Sequence, residues 1–297
     1  MNMLKNNILI GNIKTAEDLK DVHYSWALKE NWTPSRDSHY AIFNLDNNGF
    51  FYLKRNGVII GTLSAILDTS NNSVFLGFYI VMKEYRGMGY GSILWDFIIN
   101  KYKKKGLNII LCCHNLNLDM YIKKRFNKFT SGHTFYIESR DKEVPYNFKN
   151  KIIDKIIMEK ICNYDKKISG YDRSKFLIPW ISRSSACTFY EEDIDGIIIG
   201  YIVVSEQLNN NSIDLKRIGP LYANSARIAQ ILIERCMDFV SGKITIDVPH
   251  YRQEGLDLCE KFKFSRGNEL NYLSLYRSSI DFSDEVFGVT SLAYGLQ

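Results

Sequence analysis

The stretch YRGMGYGS (Tyr85–Ser92) places three glycines within eight residues. It follows the apolar run SVFLGFYIVM and precedes a segment whose apolar residues recur at helical spacing up to Gly106. The pattern predicts a strand, a glycine-rich turn and an amphipathic helix. Such a turn leaves backbone N–H groups unpaired at the positive end of the helix dipole, which is an arrangement that binds phosphate.

The spacing of the glycines excludes two common phosphate-binding motifs. A dinucleotide-binding GxGxxG that began at Gly87 would need glycine at Ser92, and GxxxxGK[ST] does not occur. Arg86 adds a fixed positive charge, which a simple turn does not require. The stretch therefore favours an anionic ligand held by backbone amides, with a tight turn that binds nothing as the alternative.

The composition is that of a globular protein large enough for two domains. The chain has 297 residues, 45% hydrophobic and 24% charged, with a formal net charge of +5, and domains usually hold about 100 to 200 residues. No apolar run reaches the roughly 20 residues of a membrane span, and the first residues lack the features of a signal peptide. We therefore predict a cytoplasmic protein with no membrane partner.

The six cysteines and five histidines lack the spacing of a metal site. CxxC and HxxxH do not occur, so we expect no metal and no disulfide. The lysines around Lys103 are the one hint of a nucleic-acid surface. Because a solvated helix end explains them equally well, we expect no nucleic-acid partner.

The order of predicted elements is that of a mixed α/β protein. A helix is predicted from about Thr15 to Lys29 with Thr15 as its N-cap, and a hairpin turns at Asn56-Gly57. After the glycine loop and its helix come the strand NIILCC, a short helix near 118–124 and the strand HTFYIES. The stretch 141–167 is predicted as a linker that can hold a helix of its own.

The second half of the chain repeats the first in faded form. NGVIIG, ending at Gly61, corresponds to DGIIIG, ending at Gly200, and the residues His114, Met120, Phe126 and Tyr136 match His250, Leu256, Phe262 and Tyr272 at one constant offset. This alignment places Asp257 opposite Tyr121. The repeat predicts two domains, 1–143 and 168–297, joined by a linker or helix at 144–167.

The sequence VMKEYRGMGYGSIL resembles motif A of the GNAT superfamily of N-acetyltransferases, where Gln or Arg is followed by two residues, Gly, one residue, and Gly or Ala. Arg86, Gly89 and Gly91 fit this pattern. ENWTP, GYDRSKFLIPW, RIGPLYA and EVFGVTSLAYG resemble segments of two-domain members. The resemblance implies an α/β (α+β) fold of tandem GNAT-like domains. Each would have a mixed, mostly antiparallel sheet flanked by helices and splayed between its fourth and fifth strands.

The resemblance also implies the co-substrate, acetyl-coenzyme A (acetyl-CoA), and its site. Loop amides would hold the pyrophosphate and the fourth strand would pair with the pantetheine arm. The implied residues are Tyr79, Ile80, Val81, Arg86, Gly87, Met88, Gly89, Tyr90, Gly91 and Ser92. The implied activity is transfer of the acetyl group to a primary amine by direct attack in a ternary complex. The alternative is a non-catalytic acyl-CoA sensor or scaffold.

Acylation of an amine requires a base for the amine, an N–H donor for the thioester carbonyl and an acid for the leaving thiolate. YIKKRF resembles the Y-x-x-x-G-F segment of the family, with Arg125 in place of the glycine, and this makes Tyr121 the candidate acid. An ordinary helix tyrosine packed on the sheet is the alternative. Glu30, beside the expected acceptor segment, and His114, at the end of the fifth strand, rank equally as candidate bases.

The second half lacks the glycine cradle. In RIGPLYANSARI, Gly219 is followed by Pro220, which has no N–H to donate, and no later glycine precedes the helix. We expect this half to shape the acceptor cleft or a dimer interface, with a small-molecule or protein amine as the acceptor and a monomer or homodimer as the assembly.

Overall fold

A computed structural model describes residues 7–139, 153–276, 283–292 and 294–295. The strands are β1 (Ile8–Asn12), β2 (Phe50–Arg55), β3 (Val58–Asp68), β4 (Ser73–Val81), β5 (Asn108–His114), β6 (Asn127–Ser139), β7 (Ala186–Glu192), β8 (Ile198–Glu206), β9 (Leu215–Ala223), β10 (Gly242–Pro249), β11 (Ser265–Ser274) and β12 (Val286–Gly288). The helices are α1 (Ala16–Leu19), α2 (Ser25–Lys29), α3 (His39–Phe43), α4 (Tyr90–Lys103), α5 (Asn115–Lys123), α6 (Lys155–Ser169), α7 (Ser174–Ile181), α8 (Ala226–Phe239) and α9 (Gln253–Lys261).

These twelve described strands form one sheet. Its order is β1-β2-β3-β4-β5-β11-β6-β10-β9-β8-β7, and β12 pairs with β9 at the side. The pairs β4–β5 and β9–β10 are parallel, and the other pairs are antiparallel. The predicted mixed, mostly antiparallel sheet is therefore confirmed.

Helices cover both faces of the sheet. Helix α4 packs on β2–β5 in one core, and α8 packs on β7–β9 in a second. A third core joins α1–α3, α6 and α7 to alternate residues of β2–β4 and β8–β9, among them Phe50 and Tyr201. Because adjacent residues of a strand point to opposite faces, this third core lies across the sheet from the other two and links the two halves of the chain.

The predicted first helix is confirmed from Ala16 to Lys29, but it contains an irregularity. The Thr15 side chain accepts a hydrogen bond from the Asp18 amide at 3.1 Å, as expected of an N-cap. Between α1 and α2 the chain makes one π-helical turn, Lys20–Tyr24. This turn places His23 in the core with no exposed surface.

Strands β6 and β11 cross between the two halves. In chain order β6 is the last strand of the first half, and β11 is the last but one of the second. Yet β11 pairs with β5, with Tyr272 opposite Cys112, and β6 pairs with β10, with Tyr136 opposite Thr245. The predicted domain limits at 143 and 168 thus divide the sequence but not the sheet. Helix α6 begins inside the predicted linker, whose residues 144–152 lie outside the described part of the chain.

The repeat between the halves is visible in the sheet. Gly61 of β3 lies opposite Leu53 beside a bulge between β2 and β3. Gly200 of β8 lies opposite Glu191 beside a bulge between β7 and β8. Both bulges have the same place in their halves, so the predicted correspondence of NGVIIG and DGIIIG is confirmed.

At α5 and α9 the structure corrects the predicted alignment that placed Asp257 opposite Tyr121. Each is followed by a residue in the left-handed conformation, Arg125 at φ 68° and Lys263 at φ 61°. The next amide bonds back to Tyr121 in the first half and to Cys259 in the second. Cys259, and not Asp257, is therefore equivalent to Tyr121. The constant offset was wrong because a turn separates β10 from α9, whereas α5 follows β5 directly.

A buried ion pair fastens α6 and α7 to the sheet. Arg173 donates to both carboxylate oxygens of Asp165, at 2.6 and 2.7 Å, and their side chains are 3% and 1% exposed. The Tyr201 hydroxyl of β8 also donates to Asp165, and Arg173 donates to the Tyr222 hydroxyl of β9 at 2.9 Å. The charges are thus fully enclosed by hydrogen-bonding partners from two helices and two strands.

We predict that Asp165→Asn lowers the free energy of unfolding by about 3–5 kcal/mol, because it leaves the Arg173 charge buried without its counter-charge. Urea unfolding measures the change. The matched control is Glu159→Gln, which removes an exposed partner of Lys155 on the same helix and should leave stability near the wild-type value. Equal effects of the two substitutions would contradict the prediction.

Candidate active site

The site begins where β4 and β5 separate. The two strands pair in parallel only from Ser73 to Leu76 of β4 and from Asn108 to Leu111 of β5. Beyond that point they diverge. The expected splay between the fourth and fifth strands is therefore present in the first half.

The free edge of β4 presents backbone N–H groups to this opening. The Met82 amide donates to Ile60 of β3 at 2.9 Å. Because successive amides of a strand point to opposite edges, the amides of Val81 and Tyr79 face the opening. An extended ligand placed there can pair with β4 as another strand would.

A strained residue lies at the start of the opening. Phe78 has φ 44°, the left-handed region that a bulky side chain rarely adopts. Three aromatic rings surround its side chain: His23 and Tyr294 stack on it with centroids 5.1 Å away, and Trp32 meets it edge-on at 5.5 Å. Strain of this kind persists only where the surroundings fix it. These contacts therefore hold β4 in the shape that separates it from β5.

The glycine loop has the geometry of an anion cradle. Gly87 and Gly89 have φ 74° and 86°, and a Cβ built on either would meet no atom within 4 Å. Gly89 is the N-cap of α4 and supplies no side-chain cap. The six amides from Gly87 to Ser92 have no backbone acceptor among the described residues. Glycine is needed here for the backbone conformation, and unpaired amides at the start of a helix are an arrangement that binds anions.

Gly91 is required for a different reason. A Cβ at this position would lie 2.5 Å from the hydroxyl oxygen of Tyr79. The Tyr79 ring packs against Trp95 with centroids 5.4 Å apart, and burial raises the pKa of its hydroxyl to about 12. The first turn of α4 and the end of β4 can therefore approach closely only without a side chain at Gly91.

Arg86 links the loop to two neighbouring elements. Its Nε donates to the carbonyl of Val81 at 2.8 Å, and its Nη2 donates to the carboxylate of Glu30 at the end of α2. Glu30, a predicted candidate base, is thus in an ion pair beside the loop, with 23% of its side chain exposed. This contact fixes the Arg86 guanidinium instead of directing Glu30 to the opening.

A cavity of about 960 Å³ includes the opening and extends to β9 and β10. Tyr121 and His114 line it, whereas Glu30 does not. Strand β5 ends at His114, which is also the residue before α5, so its imidazole lies at the mouth of the opening. Of the three predicted catalytic residues, the structure brings two together in one cavity.

Tyr121 is half-buried on α5. Its ring packs against Trp95 and Phe126, with centroids 5.6 and 6.2 Å away. Burial is the main reason that the pKa of its hydroxyl is raised, with a further contribution from Cys113. The hydroxyl therefore remains protonated at neutral pH and can act as a proton donor.

In the second half, the equivalent opening is filled by the chain itself. Strand β12 pairs with the edge of β9 that faces the opening, with Val286 opposite Tyr222. The Val289 amide donates to the backbone carbonyl of Asp247 in β10 at 3.0 Å. A Cβ on Gly219 would lie 2.8 Å from the carbonyl oxygens of this segment. The Ser225 side chain caps the start of α8. The second half therefore offers no open strand edge of the kind seen beside β4.

Sequence reasoning missed the path of this C-terminal segment. After β12 it continues under the first half, where Tyr294 stacks on Phe78. EVFGVTSLAYG resembled a segment of two-domain relatives, but nothing in its residues indicated that it spans both openings. His23 was missed as well, because a lone histidine within a helix pattern gives no sign of a π-helical turn.

No group of three or more His, Cys, Asp or Glu side chains is arranged to hold a metal ion in the part of the chain that the structure describes. The described helices are all too short or too polar to cross a membrane.

Comparisons with known proteins agree with this geometry. The family model for the acetyltransferase (GNAT) family matches residues 16–123, and that for the acetyltransferase (GNAT) domain matches residues 161–283. The chain is 25% identical over 227 residues to the holothin acyltransferase of a Pseudoalteromonas strain, covering 75% of this chain and 74% of the relative.

Solved structures show the same fold. A Pyrococcus horikoshii protein described as an acetyltransferase superposes with a TM-score of 0.73 at 20% identity, covering 99% of this chain and 98% of the other. A tandem GNAT protein from the clavulanic acid biosynthesis pathway superposes with a TM-score of 0.61 at 10% identity, covering 92% and 100%. The repeated fold and the family matches are those of the GNAT acyltransferases. The chain belongs to the GNAT superfamily and carries two GNAT domains in tandem.

The buried His23 has a testable effect on stability. Both ring nitrogens lack a hydrogen-bond partner among the described residues, and burial lowers the pKa of the imidazole to about 3. Below about pH 6.5, the pKa of histidine in the unfolded chain, His23 is protonated in the unfolded protein but stays neutral in the folded protein. Stability is therefore lost as the pH falls from about 6.5 towards 3.

We predict that this residue accounts for about 2 kcal/mol of the stability lost between pH 7 and pH 5. His23→Phe keeps an aromatic ring against Phe78 but cannot titrate. Urea unfolding of both proteins at the two pH values should show a smaller loss for the variant by that amount. Identical losses would show that His23 is protonated in the folded protein.

Proposed function

We propose that the protein is an N-acyltransferase that uses acetyl-CoA and transfers its acetyl group to a primary amine by direct attack in a ternary complex. The observation that carries the proposal is the conjunction of the open edge of β4 with the loop amides from Gly87 to Ser92. One offers a surface for an extended arm and the other a cradle for phosphates. The acyl transfer named for the Pseudoalteromonas relative supports the same chemistry.

The loop residues would hold the anionic part of the co-substrate. The amides of Gly87, Met88, Gly89, Tyr90, Gly91 and Ser92 lie in the loop and the first turn of α4 and have no backbone acceptor among the described residues, and the dipole of α4 adds positive potential. Arg86 supplies a fixed charge at the edge of the cradle. The Tyr79 and Val81 amides, with Ile80 between them, would pair with the pantetheine arm.

Three groups of this chain would carry the reaction. The co-substrate supplies an activated acyl group as a thioester. The Val81 amide donates to the carbonyl oxygen as negative charge develops there. His114 accepts a proton from the amine as the new N–C bond forms, and the Tyr121 hydroxyl donates a proton to the sulfur as the C–S bond breaks. His114 is preferred over Glu30 because it lines the cavity, whereas the Glu30 carboxylate is bound to Arg86.

The two halves would divide the work. The first half holds the co-substrate, and the second half, through Trp180, Gln207 and the inner faces of β9 and β10, lines the part of the cavity remote from the opening. Because β12 occupies the second opening, the second half shapes the acceptor site and binds no co-substrate of its own.

The cofactor proposal predicts that the wild-type protein binds one acetyl-CoA per chain and that Gly89→Glu weakens binding at least about 100-fold, because bulk and negative charge enter the cradle. Gly57→Glu is the matched control: Gly57 also has a positive φ, 80°, with nothing within 4 Å, but lies at a hairpin tip. Calorimetric titration measures both. Two equivalents bound per chain, or equal effects of the two substitutions, would refute the assignment.

The catalytic proposal predicts that Tyr121→Phe lowers kcat by about 100- to 10,000-fold, since the aromatic packing remains but the proton donor is lost. The affinity for acetyl-CoA should stay within a few-fold of wild type. Tyr102→Phe, which removes a buried hydroxyl elsewhere in the same half, should retain activity. Thiol release in the presence of an amine panel gives the rates.

The same assay separates the two candidate bases. His114→Gln should lower kcat by about 100-fold or more, whereas Glu30→Gln should act mainly on the KM for acetyl-CoA by releasing Arg86. The opposite result would assign the base to Glu30. Tight acetyl-CoA binding without thiol release from any amine would favour the sensor function over the enzyme.

A further inference from the structure

The charge of the cavity wall is one-sided. Among the described residues that line the cavity there is no Asp or Glu, whereas Arg217, Lys243 and Arg266 all contribute to the wall. The imidazole of His114 also lines the cavity. A ligand that carries only positive charge would meet repulsion here, because charges interact strongly where water is excluded.

Arg217 is held as a prepared binding group. It lies on the inner face of β9, and its Nη1 donates to Oδ2 of Asp247 on β10. The other oxygen of that carboxylate accepts from the Thr134 hydroxyl of β6 at 2.6 Å. Three strands thus fix one guanidinium. The Asp247 carboxylate is 2% exposed and both its oxygens are occupied, so it positions Arg217 and offers no free oxygen to a cationic ligand.

The remaining donors of Arg217 are available. The described contacts of this side chain with carboxylates involve Nη1 alone, and 22% of the side chain is exposed. Nε and Nη2 therefore keep donor capacity towards the cavity. A guanidinium with two adjacent donors matches the two oxygens of a carboxylate or a phosphate.

Lys243 adds a second positive charge on the same side. Its ammonium lies 4.6 Å from the centroid of the Tyr136 ring. Glu138 is opposite Lys243 in the β6–β10 register, but no carboxylate of the described residues lies within ion-pair distance of the Lys243 ammonium. The aromatic contact orients the ammonium without neutralising it.

We propose that the acceptor carries an anionic group, a carboxylate or a phosphate, in addition to its amine, and that Arg217 and Lys243 bind this group. The inference rests on the proposed function, since it names the acceptor class of the same cavity. The anion would be held over β9 and β10 while the amine reaches the opening between β4 and β5. Amino acids and amino phosphates are acceptors of this kind, and simple amines are not.

The wall would also assist the reaction. An amine must be neutral to attack, and positive charges nearby disfavour its protonated form. The anionic group then offsets the cost of bringing that amine into a positive cavity. Specificity and activation of the amine would thus arise from the same two side chains.

The experiment compares matched acceptors in the thiol-release assay: amino acids against their carboxamides, and phosphoethanolamine against ethanolamine. We expect wild-type kcat/KM to favour the anionic member of at least one pair by about 10- to 100-fold. Arg217→Gln and Lys243→Gln should each reduce this preference at least about tenfold, mainly through the KM for the acceptor. The two pairs distinguish a carboxylate from a phosphate.

Two variants keep the test interpretable. Lys104→Gln removes one exposed charge at the end of α4 and should leave the preference intact. Arg217→Lys keeps the charge against Asp247 but loses the two-donor geometry, and it replaces Arg217→Gln if that protein does not fold. A preference for the uncharged members, or one that persists unchanged in both the Arg217 and Lys243 variants, would overturn the proposal.

A binding measurement separates this proposal from the proposed function. Trp32, Trp95 and Trp180 line the cavity, so their fluorescence reports ligands in the presence of coenzyme A. Anionic members that bind and lose affinity in Arg217→Gln, without any thiol release, would support the anion site and refute the acyl transfer. Thiol release with uncharged amines alone would support acyl transfer and refute the anion site.

Discussion

The point at which β4 separates from β5 governs the rest of the structure. Two parallel strands can remain paired to their ends, but here Phe78 takes a left-handed conformation two residues after the last paired residue, Leu76. Packing from three directions, by His23, Trp32 and Tyr294, holds this strained backbone in place. The open edge of β4 is therefore a consequence of core packing as much as of the strand itself, and a ligand need not separate the strands on arrival.

The same constraint explains why two similar halves are not two similar sites. In both halves the parallel pairing, β4 with β5 and β9 with β10, stops after the first four residues of the earlier strand. The backbone N–H and C=O groups exposed beyond that point need hydrogen-bond partners. In the second half β12 supplies them with its own amides and carbonyls. In the first half no described strand pairs with this edge of β4 beyond Leu76. The exchange of β6 and β11 then ties both openings to one sheet, so their relative position is fixed.

The sequence predicted what depends on local backbone chemistry. The glycine loop, the Thr15 cap and the Gly61–Gly200 correspondence could be identified because each is required by neighbouring residues. The exchange of β6 and β11 could not, since strand pairing between distant segments leaves no mark in either strand. Glu30 shows the same limit. From the sequence, a carboxylate at the end of α2 can equally be a catalytic base or a member of an ion pair, and only the three-dimensional structure shows that it contacts Arg86.

The placement of charge distinguishes the two ends of the site. At the loop, the positive potential comes from backbone amides and a helix dipole, which do not titrate. They can bind a phosphate whatever group the phosphate carries. At the far end of the cavity the positive potential comes from side chains, one of them fixed by the buried Asp247. Backbone recognition is general and side-chain recognition is selective, because a side chain can change without altering the fold. On the proposed function, such a protein would keep its co-substrate while its acceptor changed through a few residues of β9 and β10.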